Sequence, residues 1–187
     1  TAVLVEELAR RLGERPRPRG LDLRAGTGAV ALGQRSLLPQ AEVLCLELSD
    51  RAFPYLEENL RRHGKGLAAA RKGDVLSPAL AGEFVPGSLD FIASNPPYIE
   101  TGELPGLQPE VRREPALALD GGADGLVFYR AIARLWAPLV KPGGLVAVEI
   151  GENQGPAVER LFQQAGLTAV ETAQDWAGLD RVVSGLR

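Results

Sequence analysis

Two rhythms of apolar residues alternate along this chain. Short runs bounded by turn residues, Gly20–Leu23, Glu42–Glu47, Leu67–Arg71, Leu89–Ser94 and Leu145–Ile150, read as buried strands, with Pro142-Gly143-Gly144 as a turn ahead of the fifth. Stretches with helical spacing separate them: residues 1–13, the segment from Ala29 through Leu32, the segment after Ser49 to His63, Gly125–Leu139 and Gln154–Ala165. Leu167–Thr172 and Arg181–Leu186 read as two closing strands, joined by a polar turn around Asp175–Asp180 short enough for an antiparallel pair. Strands alternating with helices predict an α/β fold, a mainly parallel sheet covered on both faces, with ligands gathered at the carboxyl ends of the strands.

Chemistry-bearing residues fall at those ends. Asp22, Glu47, Asp74, Asn95 and Glu149 stand at or just past the ends of successive predicted strands. After the first strand, Ala25-Gly26-Thr27-Gly28 leads into a helix, so small residues would let backbone N–H groups approach a ligand at a helix N-terminus. A ligand-free strand-to-helix connection is the plainer alternative for that turn. Glu47 could accept both hydroxyls of a ribose, or be a solvated strand end. Asp74 could accept from an adenine amino group, with Val75 packing on the base. Together these residues outline an adenosine pocket.

Asn95-Pro96-Pro97-Tyr98 opens a proline-rich loop that runs to about Gly122, long for a compact domain unless it binds something. Each proline keeps the residue before it out of the helical region, leaving carbonyl oxygens for a ligand. With the Asn95 amide and the flat Tyr98 ring, the motif suits a planar NH2-bearing group, either a substrate amide or an exocyclic base amine. The alternative is a rigid turn.

Composition narrows the choice. The chain has 187 residues, 45% hydrophobic and 24% charged, which suits one soluble domain, and a net charge of −3 argues against affinity built on wrapping phosphates. No apolar run approaches a membrane span, and a cytoplasmic location is expected. The single cysteine, Cys45, is expected to be a small buried hydrophobe, and the lone His63 is no evidence for a metal. The sequence contains no methionine, so residues are expected to precede Thr1.

In this order, Asp22-Leu23-x-x-Gly26-Thr27-Gly28, Glu47, Asp74 and Asn95-Pro96-Pro97-Tyr98 resemble an S-adenosylmethionine-dependent methyltransferase of the seven-stranded, Rossmann-like class I type. The resemblance implies that Asp22 and the turn Arg24, Ala25, Gly26, Thr27 and Gly28 meet the methionine end of the cofactor. It further implies that Glu47 holds the ribose, that Asp74 and Val75 meet adenine, and that Asn95 to Tyr98 hold the accepting nitrogen, Asn95 also contacting the cofactor at its methyl group. The stretch Glu110 to Arg130, together with Lys141-Pro142-Gly143-Gly144, Glu149-Ile150-Gly151, Gln154-Gly155 and Asp180-Arg181-Val182-Val183, resembles the HemK family of peptide-chain-release-factor N5-glutamine methyltransferases.

That family implies as substrate the glutamine of the Gly-Gly-Gln motif in class I release factors, with no direct nucleic-acid partner and a monomeric state. The expected division is one methyltransferase domain over residues 1–187, with residues 1–19 as lead-in helix and linker and the family's upstream helical domain absent. The sequence departs from the family at Arg24, where a glycine is usual, and at Ala2, where an acid is usual. If the turn needs a left-handed residue, Arg24 would cost roughly 1–2 kcal/mol. The expected mechanism has the Asn95 oxygen and the Pro96 carbonyl each accept one substrate N–H, aiming the nitrogen lone pair at the sulfonium methyl, with Tyr98 against the amide plane. An adenine-N6 methyltransferase and a non-catalytic S-adenosylmethionine-binding remnant are the alternative readings.

Overall fold

The computed structural model describes residues 1–13, 15–111 and 115–187. Its elements are α1 (Ala2–Leu12), β1 (Arg19–Leu23), α2 (Ala29–Leu37), β2 (Glu42–Glu47), α3 (Phe53–His63), β3 (Ala68–Lys72), α4 (Pro78–Ala81) and β4 (Leu89–Ser94). A 3-10 turn over Thr101–Gly106 and the short α5 (Ala116–Leu119) follow, then α6 (Val127–Ala131), β5 (Val140–Glu149), α7 (Gly155–Gln164), β6 (Thr168–Gln174) and β7 (Asp180–Leu186). The seven strands form one sheet in the order β3-β2-β1-β4-β5-β7-β6. The β1 to β5 pairings are parallel, and β7 lies antiparallel between β5 and β6. This is the expected class I methyltransferase sheet with its antiparallel C-terminal pair.

Period-two alternation divides each strand between two cores. Leu21, Leu23, Leu46, Ile92, Val146 and Val148 pack toward Phe128, Tyr129, Trp136, Val158 and Phe162. Val43, Cys45, Phe91, Ala93, Leu145 and Ala147 face the opposite way, toward Leu4, Leu8, Val30, Leu56 and Leu60 of the first three helices. Cys45 is thus the buried hydrophobe its neighbours predicted, with no exposed surface. Gly20 is required by this packing, because a Cβ there would stand 2.5 Å from the Phe91 ring and carbonyl.

Register brings the chemistry together. Leu23 is level with Leu46 on β2 and with Ser94 on β4, and Ser94 is level with Val148 on β5. The next residues, Arg24, Glu47, Asn95 and Glu149, therefore form one row at the carboxyl edge. The Ser94 hydroxyl fixes that level by donating to the Leu23 carbonyl at 2.6 Å.

Two expectations are corrected. Pro142-Gly143-Gly144 is no turn before the fifth strand; the strand begins at Val140 and these residues bulge out of it. Leu89 pairs with Val140 but Phe91 with Leu145, and Gly143 takes φ 73. The helix expected over Gly125–Leu139 starts at Val127, widens into a π turn over Ile132–Trp136 and tightens to a 3-10 turn over Ala137–Leu139. Within it, the buried Trp136 indole donates to the Val75 carbonyl at 2.8 Å. One turn ahead of α3, the Ser49 hydroxyl accepts from the Ala52 N–H at 3.2 Å.

Candidate active site

A cleft of ≈ 700 Å³ opens at the carboxyl edge, walled by Arg24 to Thr27, Glu47, Ser49, Tyr55, Asn95, Pro97 and the segment Pro115–Ala118. Gly26 and Gly28 make its floor possible: both have positive φ, 59° and 93°, and a Cβ on Gly28 would lie 3.0 Å from Leu56. Gly28 leads into α2, whose first N–H groups face the turn.

Glu47 is nearly fully buried and braces this floor. One carboxylate oxygen accepts from Gly26 N–H at 2.8 Å and the other from Ser49 N–H at 2.6 Å. A carboxylate has about four acceptor positions, so each oxygen keeps one for a ligand. Asp22 is not on the cleft wall. It lies beneath the turn, 1% exposed, with one oxygen accepting from Ala31 N–H at 3.2 Å and the other without a partner. Burial pushes its carboxyl up to about 7, opposed by the Ala31 bond and reinforced by Glu47.

Arg24 does adopt the left-handed conformation, with φ 62. Its guanidinium lies 5.1 Å over the Phe128 ring, donates to the Leu117 carbonyl and stands 3.9 Å from Glu47. Desolvation lowers its pKa, with Glu47 and Asp74 pulling the other way. Arg24 thus straps the turn between β1 and α2 to the loop after the motif.

Asp74 is half-buried and accepts from Leu76 N–H at 2.9 Å, outside the residues that wall the cleft. Val75 is a correction: its side chain is fully buried in the core, so it presents no surface on which a base could pack.

The Asn-Pro-Pro-Tyr motif divides. Asn95 and Pro97 wall the cleft, while Pro96 is buried beside them. The Asn95 amide donates from Nδ2 to the Thr1 hydroxyl at 3.2 Å, which turns Oδ1 free of that bond. Tyr98 turns away from the cleft wall and lies near Gly151, where a Cβ would meet its ring at 3.3 Å. The loop behind it is clamped. Gly125, at φ 68, passes so close that a Cβ would stand 2.5 Å from the Tyr98 carbonyl, and Ile99 bridges Asp120 in parallel. Gln154 joins three segments: its Nε2 donates to the carbonyls of Tyr98 at 3.0 Å and Gly125 at 3.3 Å, and its Oε1 accepts from Gly151 N–H at 3.0 Å and the Tyr129 hydroxyl at 3.3 Å.

Reading residues along the chain missed this role of Gln154, and missed Thr1, Tyr55 and Leu117 on the cleft. Only the length of the loop hinted that something must hold it. The expected similarity over Arg112, Arg113 and Glu114 lies outside the described residues.

A parallel five-strand sheet extended by an antiparallel pair, with a glycine turn, a strand-two acid and Asn-Pro-Pro-Tyr along one edge, defines a methyltransferase class. The chain belongs to the methyltransferase small domain family, whose model matches residues 1–108. It is 41% identical over 186 residues to a release factor glutamine methyltransferase of Geobacter sulfurreducens, covering 99% of this chain and 63% of that protein. It is 43% identical to the protein of that name from Moorella thermoacetica, covering 97% of this chain and 63% of the relative. The chain therefore spans less than two thirds of the length of these relatives. A solved protein-(glutamine-N5) methyltransferase, release-factor-specific, from Alicyclobacillus acidocaldarius superposes with a TM-score of 0.58 at 28% identity, covering 99% of this chain and 90% of that one. TrmN from Thermus thermophilus shares the fold, with a TM-score of 0.65 at 23% identity.

Proposed function

We propose that this chain transfers a methyl group from S-adenosylmethionine to the side-chain nitrogen of a glutamine, that of the Gly-Gly-Gln motif in class I release factors. The observation that carries the reading is the single row of Glu47 and Asn95 on one cleft. The curated relatives of matching sequence carry the name of that activity.

The wall fits an adenosyl sulfonium ligand. Glu47 offers its two remaining acceptor positions to ribose hydroxyls, and the turn ahead of α2 offers the N–H groups of Thr27 and Ala29 to a carboxylate, those of Gly26 and Gly28 being taken by Glu47 and the Ala25 carbonyl. Asp74 offers its second oxygen to an exocyclic amine. When bound, S-adenosylmethionine supplies an electrophilic methyl.

The chain's own task is to hold a poor nucleophile. An amide nitrogen has its lone pair delocalised into the carbonyl. With Nδ2 of Asn95 held by Thr1, Oδ1 and the Pro96 carbonyl each accept one N–H of the substrate amide, so the lone pair points into the cleft. Those acceptors stabilise positive charge as it develops on the nitrogen. After transfer the nitrogen is acidic and its proton leaves to water, so no dedicated base is needed. Tyr98 supports the motif through its backbone, held by Gln154.

In this reading residues 1–187 form one methyltransferase domain, acting as a monomer in the cytoplasm on translation termination factors. Among the described residues no helix is long and apolar enough to cross a membrane. The experiment is transfer of radiolabelled methyl to a release factor, to the same factor with its Gly-Gly-Gln glutamine changed to alanine, and to adenine-containing nucleic acid. Label on the unsubstituted factor alone supports the reading, whereas label on the alanine form or on nucleic acid overturns it.

A further inference from the structure

Trp176 is 99% exposed at the tip of the β6–β7 hairpin, whereas the other tryptophan, Trp136, is fully buried. Single exposed apolar residues are common, and exposure alone carries nothing. Here the turn is built to present it. Asp175 closes a loop by accepting from Ala177 N–H at 2.9 Å and Leu179 N–H at 3.1 Å, while its own N–H donates to the Leu179 carbonyl at 2.8 Å. Its second oxygen accepts from the Arg181 guanidinium at 2.8 Å, and Gly178 takes φ 78 to complete the turn. The rotamer-poor indole thus stands on a fixed backbone, with little entropy left to lose on contact.

The turn also faces the right way. Because β7 runs antiparallel to β5, with Val182 level with Glu149, the hairpin tip lies at the carboxyl edge that carries Asn95 and Tyr98. Contacts lead from the motif to the base of the hairpin. Tyr98 lies against Gly151, Ile150 N–H donates to the Arg181 carbonyl at 2.9 Å, and Gly155 adjoins Asp180 at the start of β7. Exposed Glu100 and Glu103 follow the motif beyond β4, and exposed Glu152 follows β5, where its charge acts on Arg181; none of the three forms an ion pair among the described residues.

We propose that Trp176 and these acidic residues form the docking surface for the protein that carries the methyl-accepting glutamine. The partner presents an apolar hollow flanked by basic residues beside that glutamine. The inference rests on the substrate reading above. Trp176 touches neither cofactor nor reacting amide, so its work is in capture of the substrate.

The test varies release-factor concentration with the chain, its Trp176→Ala form and its Trp176→Phe form. Trp176→Ala is expected to raise KM for the release factor about tenfold, with kcat and cofactor affinity unchanged, as for removal of an aromatic hot spot. Trp176→Phe should recover most of it. Release factor should also protect the fluorescence of the chain from acrylamide, an effect lost in Trp176→Phe, where only buried Trp136 emits. Equal KM for the chain and Trp176→Ala overturns this inference alone. A chain that transfers no methyl to the release factor overturns the substrate reading, and this inference with it.

Discussion

In the proposed mechanism Asn95 holds the accepting amide and borders the cofactor's methyl group, and a single substitution separates the two. Asn95→Ala removes one of the two acceptors that align the nitrogen, so transfer should fall on the order of 100-fold or more. Cofactor affinity measured by calorimetry should stay within a few-fold, because Glu47 and the glycine turn are untouched; a parallel loss of binding would place Asn95 in the cofactor site instead. Asp22 makes a different prediction. Its folded-state pKa, about 7, lies above the ordinary aspartate value, so the folded chain binds the proton more tightly than the unfolded chain. That contribution is fully present below about pH 4 and is lost as pH rises through about 7. Asp22→Asn keeps an oxygen for Ala31 N–H and cannot ionise. Relative to it, the unsubstituted chain should lose about 4 kcal/mol between pH 4 and pH 8, read from urea midpoints at each pH. Equal slopes for the two proteins would mean that Asp22 is not the titrating group. Both residues stood out in the sequence by position, but only packing shows that one faces the cleft and the other lies under it.

At the scale of elements, the loop from Asn95 to Gly125 is held by side chains remote from it in sequence. Gln154, at the start of α7, supplies donors to two of its carbonyls and accepts from Gly151 and Tyr129. Gln154→Ala removes the donor to the Tyr98 and Gly125 carbonyls and the acceptor of the Gly151 N–H, while the Tyr129 hydroxyl keeps its bond to the Glu149 carbonyl at 3.0 Å, and should cost about 2–4 kcal/mol of stability. It should also lower kcat by more than it weakens cofactor binding, because the motif loses its anchor while the cleft floor keeps Glu47; equal losses in both would make Gln154 a purely global support. Arg24 works between elements as well. Its left-handed conformation is strained, yet its guanidinium ties the β1–α2 turn to α5 through Leu117 and stacks on Phe128 of α6. The strand and helix periods were legible without coordinates, since burial imposes them locally. The bulge in β5 was not, because Pro142-Gly143-Gly144 has the composition of a turn and only its fit beside β4 keeps it in the strand.

At the scale of the whole molecule, the cleft lies between the parallel strand ends and the loop folded over them, so a ligand there ties turn, strand and loop together. S-adenosylhomocysteine at about 100 times its Kd should stabilise the fold by about 2.7 kcal/mol. That corresponds to a rise in Tm of roughly 5–11 °C for a chain of this size. In Glu47→Ala the rise at the same concentration should shrink, since charge-assisted bonds to the ribose worth about 1–3 kcal/mol are gone. An undiminished shift would remove Glu47 from the binding site.

The sequence by itself determined the order of strands and helices, the antiparallel closing pair and the five polar residues at strand ends, because alternation and helical period are imposed by burial within each element. It determined too that Arg24 stands in a turn where a glycine is usual. Tertiary structure alone decided which strand ends are level, and so that Glu47 and Asn95 share a wall while Val75 turns into the core and Asp22 lies beneath the floor. It alone decided that Gln154 and Thr1 reach the motif from segments remote from it in sequence on either side. Register, side-chain direction and contacts between distant segments depend on how packed elements meet, and no local pattern of residues carries that information.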